Sequence, residues 1–142
     1  VTNTDLTGGC FCGAVRYRVT GAPMAVSHCH CRDCRRATGA AFMTWMTLSS
    51  ADFAYTEGAP TEFHSSENGR RAFCAICGTS IAYRSETHAE EIDVAAATLD
   101  DPEAVTPDDH LWIGSKLSWI EPGDDLPRLE RDHWDHGYPK RD

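Results

Sequence analysis

The sequence predicts a mainly β domain in which antiparallel sheets, with short helical turns, are organised around a four-cysteine metal site. Three observations predict it. Short segments of alternating apolar and polar residues recur along the chain with turn residues between them. Seven cysteines fall into three close clusters, C-x-C, C-x-C-x-x-C and C-x-x-C. The first and last of these clusters are each followed directly by glycine. A chain of 142 residues fits one domain, and roughly two-thirds of its unfolded surface can be buried.

Taken in order, Val15, Tyr17 and Val19 alternate with Arg16, Arg18 and Thr20, the pattern of a half-buried strand. Further strands are expected over residues 41–48, 51–56, 60–64, 80–84 and 91–96, with spacing that suits antiparallel sheets. Residues 99–104, Leu-Asp-Asp-Pro-Glu-Ala, read as a one-turn helix with Asp101 as N-cap and Pro102 at its first position. From Pro122 the chain is polar and Pro-rich and reads as a surface stretch; the domain is expected over residues 1–130, with residues 131–142 as the C-terminal tail. No internal repeat, low-complexity tract or membrane-length apolar run occurs in the sequence. The first seven residues have neither a basic start nor an apolar stretch, which points to a cytoplasmic chain. A net charge of −9 disfavours nucleic acid and anionic membranes as partners, since both require concentrated positive charge.

The cysteines are Cys10, Cys12, Cys29, Cys31, Cys34, Cys74 and Cys77. An odd count without a secretory address argues against a complete disulfide framework. Close pairs let two thiolates converge on one tetrahedral ion with metal–sulfur distances of about 2.3 Å. Gly13 follows Cys12 and Gly78 follows Cys77. Glycine there permits positive φ, so the chain can turn tightly and aim N–H groups at sulfur. The likeness of the two turns pairs Cys10 and Cys12 with Cys74 and Cys77 as a closed, structural site. A local site of Cys10, Cys12, Cys29 and Cys31 is the alternative.

The middle cluster reads Ser27-His-Cys-His-Cys-Arg-Asp-Cys-Arg-Arg-Ala-Thr-Gly39. A short helix is expected over residues 32–38, stopped by Gly39. Cys31 and Cys34 then share one helix face near its N-terminus, where the helix dipole favours thiolate. With Cys29 they make three ligands, one short of a tetrahedral zinc, and an open position is what distinguishes a catalytic zinc from a structural one. His28 or His30 could close the site, but alternation along an extended segment points both away from Cys29.

These motifs resemble the glutathione-dependent formaldehyde-activating (GFA) family. The resemblance is carried by Gly8-Gly-Cys-Phe-Cys-Gly-Ala-Val-Arg-Tyr17, by His28-Cys-His-Cys-Arg-Asp-Cys-Arg-Arg36 with Thr38-Gly39, and by Phe73-Cys-Ala-Ile-Cys-Gly-Thr79. Ala97-Thr-Leu-Asp-Asp-Pro102, His110-Leu-Trp112 and Leu126-Pro127 add to it, in the family's order. It implies a zinc-binding fold of the β-tent type. It also implies two zinc ions, with Cys10, Cys12, Cys74 and Cys77 on the structural ion and Cys29, Cys31 and Cys34 on the catalytic one. Ile76 is more apolar than that turn usually carries, and the stretch from Arg131 lies outside the match.

The activity that the resemblance implies is addition of glutathione to formaldehyde, formally a carbon–sulfur lyase running in reverse, with a small thiol and an aldehyde as partners. The donor set suits it. Three thiolates on a divalent zinc leave a net negative centre, a weaker Lewis acid than a three-histidine site. Such a centre favours a bound thiolate that stays electron-rich enough to attack a carbonyl carbon. No Pro-Cys-x-x-Cys element follows a His-x-Glu in the sequence, as zinc deaminases require. Glutathione carries two carboxylates, and Arg32, Arg35, Arg36, Arg70 and Arg71 lie near the cysteines. Arg35 and Arg36 are the foremost candidates to bind it. Phe42, Trp45, His110 and Trp112 read as packing residues. A zinc-stabilised binding or redox-sensing module is the alternative function, and would close the middle site with a histidine.

Overall fold

A computed structural model describes residues 5–141. Two sheets carry the fold. β1 (Leu6–Gly9), β2 (Arg16–Val19) and β5 (Phe53–Glu57) form a three-stranded sheet in the order β1-β2-β5. The larger sheet contains β3 (Ala25–Cys29), β4 (Met43–Ser49), β6 (Thr61–His64), β7 (Gly69–Phe73), β8 (Ser80–Ser85), β9 (Glu91–Ala95) and β10 (Asp109–Leu111). Its order is β10-β3-β4-β9-β8-β7-β6, antiparallel except for the β10–β3 pair. Two short helices, α1 (Arg32–Thr38) and α2 (His133–His136), complete it. No helix among the described residues is long and apolar enough to cross a membrane. The expected antiparallel, mainly β architecture is the observed one.

Alternation explains how the larger sheet serves two purposes. In β4, Met46 and Leu48 join the main core with Ile92 and Val94 of β9, Val26 of β3 and Tyr17 and Val19 of β2. The intervening residues face the opposite side. There, direct cross-strand pairing sets Thr47, Asp93, Tyr83 and Arg71 in one row across β4, β9, β8 and β7. Ser27 pairs with Trp45 beside that row. The sheet is thus apolar on its core face and carries polar and aromatic groups on the other, the period-2 consequence of its sequence.

The local expectations for the helical turns hold. α1 spans residues 32–38, and Gly39 ends it in the left-handed region at φ 72°. Asp101 caps the turn Pro102–Ala104 by accepting the N–H of Glu103.

The stretch from Pro122 is mostly exposed, as expected of a surface segment, and it runs along the β10 edge and folds back over the sheet. Leu129 N–H donates to the His110 carbonyl at 2.8 Å, and Ile113 N–H to the Leu129 carbonyl at 3.0 Å. The physical reason lies in buried polar groups that need partners. His110 of β10 is fully enclosed and reaches Asp124, while Asp109 bonds His133 Nε2 at 2.8 Å with both side chains buried. Because Asp124 can only accept, His110 Nε2 carries the proton. In the neutral imidazole His110 Nδ1 then accepts from His30 Nε2 at 2.9 Å.

Replacing His110 by Phe removes the acceptor of a buried N–H. We expect a stability loss of about 1–3 kcal/mol in urea unfolding. A loss below about 0.5 kcal/mol would mean that water satisfies His30 instead.

Candidate metal centres and the adjoining cavity

All seven cysteines are free thiols, and they gather into two groups whose sulfurs lie within 4.8 Å of one another. The first is Cys10, Cys12, Cys74 and Cys77; the second is Cys29, Cys31 and Cys34. These are the sets expected from the matching glycine turns, and the local set of Cys10, Cys12, Cys29 and Cys31 is not formed.

In the first group Cys10 and Cys12 follow β1, while Cys74 and Cys77 lie in the turn between β7 and β8. Gly13 and Gly78 have φ of 82° and 79°, so the two turns share the left-handed step that glycine accommodates. Backbone N–H groups of Val15 and Ile76 point at the sulfurs of Cys10 and Cys74 at 3.3 and 3.4 Å. Thr79 hydrogen-bonds Cys77 and holds its thiol down at about 5. The Cys10–Cys12 and Cys12–Cys74 sulfur separations are 3.6 and 3.8 Å. A tetrahedron with metal–sulfur arms of 2.3 Å has edges of about 3.8 Å. The donor set and its spacing therefore fit a four-thiolate zinc.

The second group sits where β3 gives way to α1. Cys31 is the N-cap of α1, and its sulfur accepts the N–H of Cys34 at 3.3 Å. Trp45 Nε1 donates to Cys34 sulfur at 3.4 Å, and Arg71 Nη2 approaches the same sulfur at 3.9 Å. Within the cluster, hydrogen bonds from Cys29 and Cys34 hold the Cys31 thiol down at about 3. The bond to Cys31, followed by that to Cys34, pushes Cys29 up. The sulfurs of Cys31 and Cys34 therefore stand among N–H donors that suit a thiolate ligand. Neither histidine closes the set: His28 Nδ1 bonds Thr44 at 2.8 Å and His30 Nε2 bonds His110.

A cavity of about 410 Å³ opens beside the three sulfurs. Its wall includes the row Thr47, Asp93, Tyr83 and Arg71, then Ser27, Trp45 and Trp112, and from the returning C-terminal segment Asp132, His133, Trp134 and Tyr138. Trp134 Nε1 donates to Glu91 at 3.2 Å and the Tyr138 hydroxyl also donates to Glu91, fastening that segment across the cavity. The Arg71 guanidinium lies over the Tyr83 ring at 4.9 Å. Burial pushes Asp93 up to about 7, although Thr47 donates a hydrogen bond to it at 2.5 Å.

Arg32 and Arg71 line this cavity, whereas Arg35 and Arg36 do not. Arg35 has a buried Nε without a partner, and Arg36 faces a second depression of about 590 Å³ with Phe63 and Phe73. Trp45 and Trp112, expected as packing, contribute to the cavity wall as well. Asp93, Tyr83 and the C-terminal aromatics escaped sequence reasoning. The alternation of residues 91–96 could have found Asp93, since it places Glu91, Asp93 and Ala95 on the face opposite Ile92 and Val94.

Residues 5–115 match the sequence profile of the family described as glutathione-dependent formaldehyde-activating enzyme. A Halomonas elongata protein named "Putative glutathione-dependent formaldehyde-activating enzyme" is 29% identical over 147 aligned positions, covering 94% of this chain and 88% of the relative. The crystal structure of a Rhodobacter sphaeroides protein superposes with a TM-score of 0.56 at 23% identity, covering 86% of this chain and 98% of the other, a likeness of fold. With its cysteine clusters, its two-sheet fold and a profile match over most of its length, the chain belongs to the glutathione-dependent formaldehyde-activating enzyme family.

Proposed function

We propose that this protein is a zinc enzyme that adds a small thiol to a small aldehyde, with glutathione and formaldehyde, the pair in the family's name, as the first substrates to try. One observation carries the proposal: three cysteine sulfurs converge beside a cavity, and no histidine completes them. A zinc ion held there would offer an incoming thiol its fourth position and favour the thiolate.

The chain's own residues have distinct tasks in this scheme. Cys29, Cys31 and Cys34 supply the anionic donors. Trp45 and Arg71 point N–H groups at Cys34, so its charge is stabilised without loss of the sulfur as a ligand. Trp45 and Tyr83 wall off the reacting atoms from bulk water. The thiol sulfur forms a bond to the carbonyl carbon, the carbonyl π bond breaks, and the proton given up by the thiol ends on the former carbonyl oxygen. No oxidant or reductant is required. Cys10, Cys12, Cys74 and Cys77 hold the structural zinc in this proposal, and Arg35 and Arg36, away from the cavity wall, act on an anionic ligand only at range.

The uncatalysed addition is quick, so product at equilibrium is uninformative. The test is the exchange rate between free and hydroxymethylated glutathione, measured by exchange NMR with and without protein at equal zinc. A protein-dependent acceleration is expected; equal rates would remove glutathione addition as the activity.

Metal content gives an independent check. We expect up to two zinc ions per chain, one of them released first under graded chelation. Three ligands hold an ion less firmly than four, and a site beside a cavity exchanges more readily. A stoichiometry of one after purification under reducing, metal-replete conditions would contradict this.

A further inference from the structure

The charge and chemistry of the cavity wall favour a different thiol from the one in the family's name. Of the charged groups on the wall, several are already engaged. Arg71 Nη2 approaches Cys34 and the guanidinium stacks on Tyr83, which leaves its buried Nη1 without a hydrogen-bond partner. Arg32 and Asp33 are exposed and pair with each other at 3.7 Å. Glu91 accepts from Trp134 and Tyr138, Asp132 caps α2, and His133 bonds Asp109.

Asp93 is different. One oxygen accepts from Thr47, and among the described residues no base pairs with the carboxylate. Burial, with Glu91 nearby, pushes it up to about 7 against the pull of Thr47 and His133, a condition that a bound positive charge would relieve. Ser27 supplies a second, independent observation: it lines the cavity, is 2% exposed, and its hydroxyl has no hydrogen-bond partner. Tyr83, Trp45 and Tyr138 line the same space, aromatic side chains of the kind that attract cations, and Tyr83 already carries the Arg71 guanidinium. Arg71 offsets the negative charge of the thiolate cluster and leaves the rest of the wall acidic.

We propose that the cavity binds a primary ammonium group carried by the thiol substrate, seated against Asp93 and the aromatic wall, so that a short aminothiol is preferred to an anionic thiol. This inference rests on the thiol-binding function proposed above. Glutathione, with two carboxylates, meets an acidic wall here and can offer only its single ammonium to it.

The test uses zinc-loaded full-length protein and calorimetric titration with cysteamine, 2-mercaptoethanol and 3-mercaptopropionate. Their thiol acidities differ, but that property belongs to the ligand and cancels when each affinity in the wild type is divided by that in Asp93→Asn. Cysteamine is expected to weaken about tenfold in the variant, the scale of one desolvated charge contact. 2-Mercaptoethanol should change less than about twofold, and 3-mercaptopropionate should bind the variant more tightly.

A second measurement on the wild type alone guards against a variant that fails to fold: cysteamine should bind more tightly than neutral N-acetylcysteamine, again by about tenfold. If thiols bind but cysteamine shows neither preference, or if 3-mercaptopropionate outcompetes it through Arg71, the ammonium site is wrong and the thiol-binding function stands. If no thiol binds the zinc-loaded protein, both fall.

Discussion

Cys74→Ala is expected to cost this protein most of its fold, whereas Cys34→Ala should leave it folded. Cys74 belongs to a cluster that ties the turn after β1 to the turn between β7 and β8, joining the small sheet to the far side of the large one. It is 1% exposed and packs in the main core with Cys10. Zinc binding at a four-thiolate site contributes on the order of 10 kcal/mol of folding free energy, comparable with the whole stability of a domain, about 5–15 kcal/mol. An alanine there removes a ligand and leaves the small sheet held by its apolar contacts and by hydrogen bonds such as Tyr17–Thr98 and Arg16–Asp100. Cys34 lies in the smaller cluster with Trp45 and Ala95, and its neighbours Cys29 and Cys31 are close in sequence. Its loss clips no distant segments together and should cost about 1–3 kcal/mol, mainly from the orphaned Trp45 donor. Thermal melts in excess zinc should therefore show Cys74→Ala unfolded or lowered by more than about 15 °C, and Cys34→Ala lowered by about 3–10 °C. Equal losses would mean that both sites are structural.

The features legible in the sequence are those decided within a few residues. The helix over 32–38 follows from the cysteine spacing and Gly39, and the cap of Asp101 from Pro102. The division of the cysteines was legible because Gly13 and Gly78 repeat one local conformation, even though the two turns meet from 62 residues apart. What was illegible depends on distant partners. β1 contains two glycines, and its pairing with β2 is what makes it a strand. β7 carries Arg70 and Arg71, a charged pair that reads as loop until alternation sends Arg71 to the cavity and Arg70 outward to Glu86. β10 is three residues long and pairs in parallel with β3.

The attachments of the C-terminal segment were illegible for a related reason. Its prolines and charges are those of a loop, but Asp124 and His133 answer buried groups on β10 that only the folded sheet creates. The cavity was hidden for the same cause. A strand that alternates Ile92 and Val94 with Glu91 and Asp93 reads as core and solvent, and only the returning segment converts its polar face into an enclosed wall.

Cys31→Ser is expected to remove catalysis of thiol exchange while preserving the fold, which separates chemistry from stability at one atom. Cys31 caps α1 with its sulfur, accepting the Cys34 N–H. Serine is among the best N-cap residues, so the variant keeps that hydrogen bond and the start of the helix. What it loses is the soft anionic ligand. An alcohol does not ionise where a thiol does, and hydrogen bonds from Cys29 and Cys34 concentrate the negative charge of this cluster on Cys31. Two thiolates and a neutral hydroxyl would hold zinc more weakly and leave it less electron-rich, so an incoming thiolate would be bound more tightly as a ligand and would attack a carbonyl less readily. Disturbing groups that merely orient a metal's ligands costs about 10–100-fold, so a direct ligand should cost at least about 100-fold in the protein-dependent part of the exchange between free and hydroxymethylated glutathione. The comparison is made at equal zinc, with melting temperatures of the two proteins within a few degrees. A variant that retains the wild-type exchange rate at matched stability would show that the three-cysteine cluster takes no part in the reaction.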